Sequence, residues 1–162
     1  MAQNDFLSGL SNRGYFFDVM GRYFKEAKQN ETSFALGLID IDQFKQINDS
    51  FGHSAGDCVI SDIGAMIRRY FDADAFCARL GGDEFCVVLK NCDPKKALSY
   101  FLKFANEVAH HALACSLEKN IHVTISIGVA LSDIESLEEM INQADQALYR
   151  AKQNGKNRVE VA

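Results

Sequence analysis

The sequence contains no tryptophan, a single proline and no long apolar run. The scarcity of proline excludes proline-rich and collagen-like chains. The longest apolar stretches, such as residues 34–39, are far shorter than the ~20 residues that span a bilayer. The first residues lack both the basic region and the apolar core of a secretory signal peptide. We therefore expect no membrane segment in this chain.

Positive charge is also scarce, since 17 Lys and Arg face 22 Asp and Glu for a net charge of −5. Nucleic-acid-binding domains present basic surfaces, so we expect no nucleic acid among the partners. A hydrophobic fraction of 48% excludes a disordered chain, and the length predicts that residues 1–162 form a single domain. The 5 cysteines are odd in number and form no CxxC pair, which predicts free thiols and a cytoplasmic protein.

The spacing of the apolar residues predicts helices and strands that alternate along the chain. The predicted helices run from Ser11 or Asn12 to about residue 28, over residues 55–70, from 94 to about 115, and over 136–153. Residues 40–50 are expected to leave the first strand and enter a short helical segment. The predicted strands cover residues 32–39, 76–80, 85–89, 121–131 and 158–161. A tight hairpin at residues 81–84 excludes an all-parallel sheet. The expected fold class is α/β in the broad sense (α+β), a mixed, mostly antiparallel sheet of about five strands with flanking helices.

Two carboxylates, Asp40 and Asp42, follow a buried apolar strand and are separated by one residue. In an extended chain such side chains point the same way. Oxygen ligands of this kind suit Mg²⁺, which takes one or two carboxylates together with substrate phosphates, and the carbonyl of Ile41 can complete the shell. An ordinary strand end, with Asp42 capping the next helix, explains the same residues equally well.

A second pair of acids, Asp83 and Glu84, follows two glycines in the segment GGDEF at residues 81–85. Adjacent acids at a hairpin tip repel each other and gain nothing by packing. A solvated turn is the ordinary interpretation, but the apolar strands on both sides would hold this tip rigidly, as a functional carboxylate requires. Asp40 and Glu84 together could hold the metal pair of an in-line phosphoryl transfer.

Two further segments carry groups suited to a nucleotide. In residues 44–57, Asn48 and Asp57 can accept the two hydrogens that guanine presents on one edge and adenine lacks. A loop with Asp57 near a helix start explains that segment as well. Near the C-terminus, Lys152 and Lys156 either complete the basic last turn of a helix or bind phosphate.

Taken together, these segments resemble the GGDEF domain, the catalytic domain of diguanylate cyclases. The signature stands intact at residues 81–85, and the blocks at 34–57, 126–130 and 144–159 match the family in order. The opening block at residues 5–13, DFLSGLSNR, has serine where the family usually has threonine. The resemblance implies the palm-like fold of nucleotide cyclases, with a ferredoxin-like βαββαβ core.

The resemblance also implies an activity, the condensation of two GTP into cyclic di-GMP and two pyrophosphates, with a pair of Mg²⁺ or Mn²⁺ ions per active site. One domain binds one GTP, so the expected competent unit is a two-fold homodimer, and an upstream sensor domain is a possible partner. The resemblance implies that Asp40, the Ile41 carbonyl and Glu84 bind metal, that Asp83 accepts the proton of the attacking ribose 3′-hydroxyl or positions it, and that Lys45 stabilises charge on the phosphates. It implies guanine and substrate binding by Asn48, His53 and Asp57, and triphosphate binding by Lys152 and Lys156. The amides of Phe44 and Lys45, which open a helix, could add anion binding.

Some positions matter for what the resemblance implies. Many relatives carry an RxxD motif that binds product and inhibits, but Asp72 and Ala75 stand there, which predicts no such inhibition. Lys156 replaces the usual arginine, keeping the charge but losing the bidentate fork, so we expect weaker triphosphate binding. Asp57 favours guanine, because relatives that make mixed dinucleotides differ at this position.

Two other functions compete with an active cyclase. One is a catalytically silent GTP-binding regulator, and the other is an effector module that binds cyclic di-GMP. The metal and acid positions are all filled, which argues against the first, and the missing RxxD motif argues against the second.

Overall fold

The structure is a computed structural model that describes residues 2–71, 73–113, 121–131 and 136–162. Helices and strands alternate along these residues, as the sequence predicts. They are α1 (Arg13–Asn30), β1 (Phe34–Ile41), α2 (Phe44–Phe51), α3 (His53–Tyr70), β2 (Phe76–Gly81), β3 (Glu84–Lys90), α4 (Pro94–His110), β4 (Ile125–Leu131), α5 (Leu137–Gln153) and β5 (Val159–Val161). Within the described ranges, no helix is both long and apolar enough to cross a membrane.

The strands form one mixed sheet in the order β2-β3-β1-β4-β5. The central strand β1 is antiparallel to both β3 and β4, and β2 is antiparallel to β3. The short strand β5 pairs in parallel with β4 at the edge. The predicted hairpin joins β2 to β3, so the expected mixed, mostly antiparallel sheet with flanking helices is confirmed.

Helices cover both faces of this sheet and create two separate cores. On one face, Ile63 of α3 and Phe101 of α4 pack with Ile39 of β1. On the other face, Phe16 of α1 and Leu148 of α5 pack in the core that includes Leu38 and Leu36 of β1. Each large apolar side chain buried in this way stabilises the fold by roughly 1.5–3 kcal/mol. Since strand residues alternate between faces, Asp40 lies on the face covered by α1 and α5.

Local signals begin α1, α4 and α5 where the sequence predicts, whereas α3 begins at His53, two residues before the predicted start. The side chain of Asn12 accepts a hydrogen bond from the Tyr15 amide at 2.9 Å, and Ser136 accepts one from the Glu139 amide at 3.1 Å. Pro94 opens α4, whose N-cap is Asp93. Side-chain oxygens at these positions satisfy amides that have no partner within the helix.

Several strand boundaries differ from the prediction, and two of them bear on the site. β1 continues through Asp40 and Ile41, because these residues still pair with Glu84 and Ile125 on the neighbouring strands. β4 begins at Ile125 rather than at residue 121. Residues 121–124 keep the alternating pattern of a strand, but their neighbour β1 has already ended at Ile41, so no ladder forms there.

The fourth helix is shorter than predicted. α4 ends at His110, and His111 adopts an extended conformation with φ −83° and ψ 133°. The chain leaves the helix so that Leu113 can reach the core, where it is buried. The last predicted helical residues, 114 and 115, lie outside the described residues.

Helix α5 lies against the sheet at Gly128. A Cβ atom at this position would lie 2.1 Å from the carbonyl oxygen of Ala144 and 2.2 Å from the amide nitrogen of Leu148. Both are main-chain atoms, which cannot rotate away as a flexible side chain can. Glycine at position 128 therefore permits the close approach, and that approach carries Lys152, one turn after Leu148, toward the end of β1.

We expect Gly128→Ala to lower the free energy of unfolding by about 2–3 kcal/mol, because α5 would have to move away from β4. Gly21→Ala is the matched control, since a Cβ there meets nothing within 4 Å and the position is an exposed helix interior. That variant is expected to gain roughly 0.5–1 kcal/mol from helix propensity. Urea denaturation of both variants measures the difference, and equal stabilities would contradict the close packing.

Candidate active site

Two acidic side chains stand opposite each other at the end of the central strand pair. Asp40 of β1 and Glu84 of β3 are register partners in the antiparallel ladder. Asp83 lies in the hairpin turn just before Glu84, and its carbonyl oxygen accepts a hydrogen bond from the Ile41 amide at 3.2 Å. Strand pairing thus brings together the two acidic segments that the sequence places far apart.

The two oxygens of Asp40 have different surroundings. Oδ2 accepts from the ammonium group of Lys152 on α5. Oδ1 is buried and has no hydrogen-bond partner among the described residues. Burial, followed by the nearby Asp83 carboxyl group, raises the pKa of Asp40 to about 7, although Lys152 acts in the opposite direction.

Glu84, like Asp40, lies near other acidic side chains. Its pKa is raised first by burial and then by the charges of Asp145 and Asp83, whereas Lys152 and Arg13 oppose the shift. Burial lowers the pKa of Lys152, but its bond to Asp40 and the surrounding acids leave that pKa raised overall. The acids therefore outnumber the basic group that contacts them directly.

This donor set fits a hard divalent cation. The Asp40 side chain lies beside the Asp83 carboxyl group, pairs in register with Glu84, and has a buried oxygen without a partner among the described residues. A cation bound there would offset the excess negative charge. No cluster of three or more His, Cys, Asp or Glu side chains able to hold a metal occurs in the described part of the chain. Asp40, Glu84 and the carbonyl of Ile41 would hold only part of the shell, and phosphate oxygens and water would complete it.

Asp42 does not cap the helix that follows it, so that interpretation of the sequence is wrong. The N-cap of α2 is Gln43, which makes no side-chain cap. The buried Asp42 carboxylate instead accepts hydrogen bonds from the hydroxyls of Thr124 and Ser126, both at 2.6 Å, and from the Asn157 amide at 2.9 Å. Its oxygens are therefore occupied, unlike Oδ1 of Asp40.

The residues expected to bind the base lie on α2 and at the beginning of α3. A Cβ at Gly56 would lie 1.8 Å from the amide oxygen of Asn48 and 3.1 Å from the ring of Phe44. Glycine at position 56 therefore lets both side chains pack against α3. Asn48 is half-buried, whereas His53 and Asp57 are exposed on the first turns of α3.

Lys45 is exposed in the first turn of α2. Because Gln43 supplies no side-chain cap, the first amides of α2, including those of Phe44 and Lys45, donate no hydrogen bond to its side chain. Uncapped amides at a helix N-terminus attract anions. The structure thus places Lys45 on the element that directly follows the acidic end of β1.

Lys152 and Lys156 differ in secondary structure. Lys152 is in the last turn of α5, whereas Lys156 is in the turn that follows, with a positive φ of 63°. The Lys156 amide donates to the carbonyl of Ala151 at 3.0 Å, which closes the helix end as predicted from Gly155. Lys156 is half-buried and lies one residue before Asn157, the partner of Asp42.

Sequence reasoning did not identify Arg79, which holds the signature hairpin. Its guanidinium donates to the carbonyl of Gly82 from Nε at 3.0 Å and from Nη2 at 2.8 Å, and Nη1 contacts Asp5 at 3.1 Å. Although burial raises the pKa of Asp5, hydrogen bonds from Ser8 and then Arg79 lower it overall. The available signal was the opening block, where the Ser8 hydroxyl donates to Asp5, the partner of Arg79.

Of positions 72 and 75, where the inhibitory RxxD motif would stand, only position 75 lies within the described residues. Ala75 is half-buried and carries no charge, whereas Asp72 lies outside the described residues.

Comparisons with known proteins show which family the chain is similar to. The family model described as diguanylate cyclase, GGDEF domain, matches residues 2–158. The chain is 34% identical over its whole length to diguanylate cyclase A of Treponema denticola and 33% identical over 98% of its length to a diguanylate cyclase of Vibrio cholerae. It covers 45% and 49% of those proteins, and thus about half the length of these curated relatives.

A solved structure shows the same fold. The GGDEF domain of DgcB from Caulobacter crescentus, crystallised in complex with c-di-GMP, superposes with a TM-score of 0.94 at 34% identity. The match covers 99% of this chain and 96% of that one. The fold implied by the resemblance is thereby confirmed, and the chain belongs to the GGDEF family of diguanylate cyclase domains.

Proposed function

We propose that this chain is an active diguanylate cyclase that condenses two GTP into cyclic di-GMP and releases two pyrophosphates. The observation that carries the proposal is the buried Oδ1 of Asp40, which has no partner among the described residues, on a side chain paired in register with Glu84. A protein that only bound a nucleotide base would gain nothing from this arrangement, whereas phosphoryl transfer needs a cation at the reacting phosphates.

In this proposal Asp40, Glu84 and the carbonyl of Ile41 bind Mg²⁺ or Mn²⁺, and a pair of ions serves each active site. The ions supply positive charge that stabilises the developing charge on the phosphates. Asp83 accepts, or positions, the proton of the ribose 3′-hydroxyl that attacks the α-phosphorus of the other GTP. Lys45 stabilises the negative charge that builds up on the phosphates.

The remaining residues bind and orient the nucleotide. Asn48, His53 and Asp57 line the guanine and substrate pocket on α2 and α3, and the amides of Phe44 and Lys45 bind phosphate oxygens. The triphosphate also contacts Lys152 and Lys156. Lys152 contacts Asp40 in the structure, so it exchanges this carboxylate for phosphate oxygens when the nucleotide and its ion bind.

The reaction needs two copies of the site. Each GTP must present its 3′-hydroxyl to the α-phosphorus of the other, which requires two domains related by a two-fold axis. An upstream sensor or activator would control this encounter in the whole protein. In support, the structures similar to this chain include a coiled coil joined to a GGDEF domain and the cyclase SiaD of Pseudomonas aeruginosa with its activator SiaC. Because the substrate is GTP, we propose a cytoplasmic location.

The test is to incubate the chain with GTP and Mg²⁺ over a series of protein concentrations and to separate the products by chromatography with mass detection. We expect cyclic di-GMP and pyrophosphate, at a rate that rises faster than linearly with protein because dimers form. Binding of GTP without product at any concentration, even after dimerisation is forced by a fused coiled coil, would identify a silent GTP-binding domain instead.

The matched variants in this assay are Glu84→Gln and Glu26→Gln. Glu84→Gln keeps the side-chain shape but removes the charge of a metal ligand, so turnover is expected to fall by at least about 100-fold. Glu26→Gln makes the same change on the exposed surface of α1 and should leave turnover unchanged. Full activity in Glu84→Gln would rule out the metal assignment.

We expect Asp57→Ala to weaken the preference for GTP over ATP by about tenfold, because guanine loses an acceptor for the N1 and N2 hydrogens on one edge of its base. Competition between GTP and ATP for the protein measures this ratio. Asp18→Ala, at an exposed position of α1, is the control and should leave the ratio unchanged. An unaltered preference in Asp57→Ala would remove this residue from the base pocket.

We expect added cyclic di-GMP to leave the initial rate unchanged, because Ala75 and Asp72 lack the arginine and the aspartate of the inhibitory motif. The double variant Asp72→Arg/Ala75→Asp restores both side chains and should become sensitive to product. Initial rates measured with and without added product give the comparison. Strong inhibition of the unaltered chain would show that product binds it elsewhere.

A further inference from the structure

We propose that Asp42 is a positioning residue that fixes the turn carrying Lys156 to the end of β1 and thereby sets the affinity for the triphosphate. The inference rests on the proposed function, in which Lys152 and Lys156 bind the triphosphate. It assigns to Asp42 a task distinct from that of its neighbour Asp40, although the sequence presents the two as a pair.

Asp42 is one of few buried polar residues in the described chain, with 6% of its surface exposed. Its Oδ2 accepts both the Thr124 hydroxyl at 2.6 Å and the Asn157 amide at 2.9 Å, and its Oδ1 accepts the Ser126 hydroxyl at 2.6 Å. Its own amide donates to the carbonyl of Thr124 at 2.9 Å. One side chain thus joins the residue after β1, the beginning of β4 and the C-terminal turn.

The turn that Asp42 contacts has an unfavourable backbone. Gly155, Lys156 and Asn157 have consecutive positive φ angles of 119°, 63° and 49°. Two of these residues are not glycine, and such residues persist in this region only when their surroundings hold them. The bond from the Asn157 amide to Asp42 is a charge-assisted restraint of the required kind, and it connects this turn to the strand that carries Asp40.

The same contacts argue against a direct role in metal binding. The oxygens of Asp42 face two hydroxyls and an amide, whereas Oδ1 of Asp40 is buried without any partner among the described residues. A ligand and a positioning residue respond differently to asparagine. Asparagine keeps an oxygen for the Thr124 hydroxyl and the Asn157 amide, and its NH₂ group can donate to Ser126, but its neutral amide is a poor substitute for a carboxylate ligand.

The experiment compares Asp42→Asn with Asp42→Ala, using two probes, α,β-methylene-GTP with Mg²⁺ and guanosine, by calorimetry. We expect Asp42→Ala to weaken binding of the triphosphate analogue by about tenfold, because the charge-assisted hydrogen bond from the Asn157 amide is lost. Guanosine should bind to Asp42→Ala as it does to the unaltered chain. Asp42→Asn should bind the analogue within about threefold of the unaltered chain, because the acceptor for Asn157 remains.

Thr124→Val is the matched control. It removes one donor to Asp42 and leaves the Asn157 bond in place, so the affinity for the analogue should change little. An equal loss in Asp42→Asn and Asp42→Ala would show that the charge matters rather than the acceptor geometry, and would overturn the proposal. An unchanged affinity in Asp42→Ala, or an equal loss for guanosine, would overturn it as well.

Amide hydrogen exchange of Asn157 provides a readout that does not depend on nucleotide. In the unaltered chain and in Asp42→Asn this amide should exchange about tenfold or more slowly than an open turn amide, because a buried acceptor holds it. Fast exchange in the unaltered chain would refute the contact even if Asp42→Ala fails to fold. If the unaltered chain binds the analogue no better than guanosine while Asn157 stays protected, the proposed function has failed rather than the contact.

Discussion

The main chain of α5 touches β4 at Gly128, and the arrangement of the site depends on this contact. No other residue type would allow the Ala144 and Leu148 backbone atoms to come so close to the strand. One turn beyond Leu148, the helix delivers Lys152 to Oδ2 of Asp40. The close packing of α5 on β4 therefore sets the position from which Lys152 reaches Asp40. The packing of a core helix and the electrostatics of the site are thus a single constraint.

That constraint leaves the site electrostatically incomplete. Burial and neighbouring acids raise the pKa values of both Asp40 and Glu84, and Lys152 offsets only part of the effect. A fold selected for stability alone would place apolar side chains at the ends of β1 and β3, since buried charges without full compensation are unfavourable. The departure lies at the end where Asp40 pairs with Glu84, while residues 34–39 of β1 and 85–89 of β3 are apolar and buried. Such local departures from good packing rules are typical of functional sites.

Sequence reasoning succeeded where the physical signal is local. Apolar spacing identified the helices, Asn12 and Ser136 marked helix starts, and Gly81 and Gly82 marked the hairpin. It failed where the deciding partner is distant. The donors to Asp42 lie 82, 84 and 115 residues away, so the sequence could not distinguish its task from that of Asp40. The strand predicted over residues 121–131 was wrong at its start for a related reason. Alternation of apolar and polar residues is not sufficient for a strand, because the backbone also needs a neighbouring strand to pair with.

The parts of the site differ in how firmly the fold holds them. Strand pairing fixes Asp40 and Glu84. Arg79 donates a hydrogen bond to the Gly82 carbonyl and so holds the hairpin that precedes Glu84. The groups proposed to bind the nucleotide lie instead on helices and a turn around this rigid edge. Because these acids are already in place in one domain, a regulatory signal would have little effect on the proposed reaction by changing their positions. Bringing two such domains together raises the effective concentration of one bound GTP toward the other, and this is the step at which an upstream segment can act most directly on the proposed reaction.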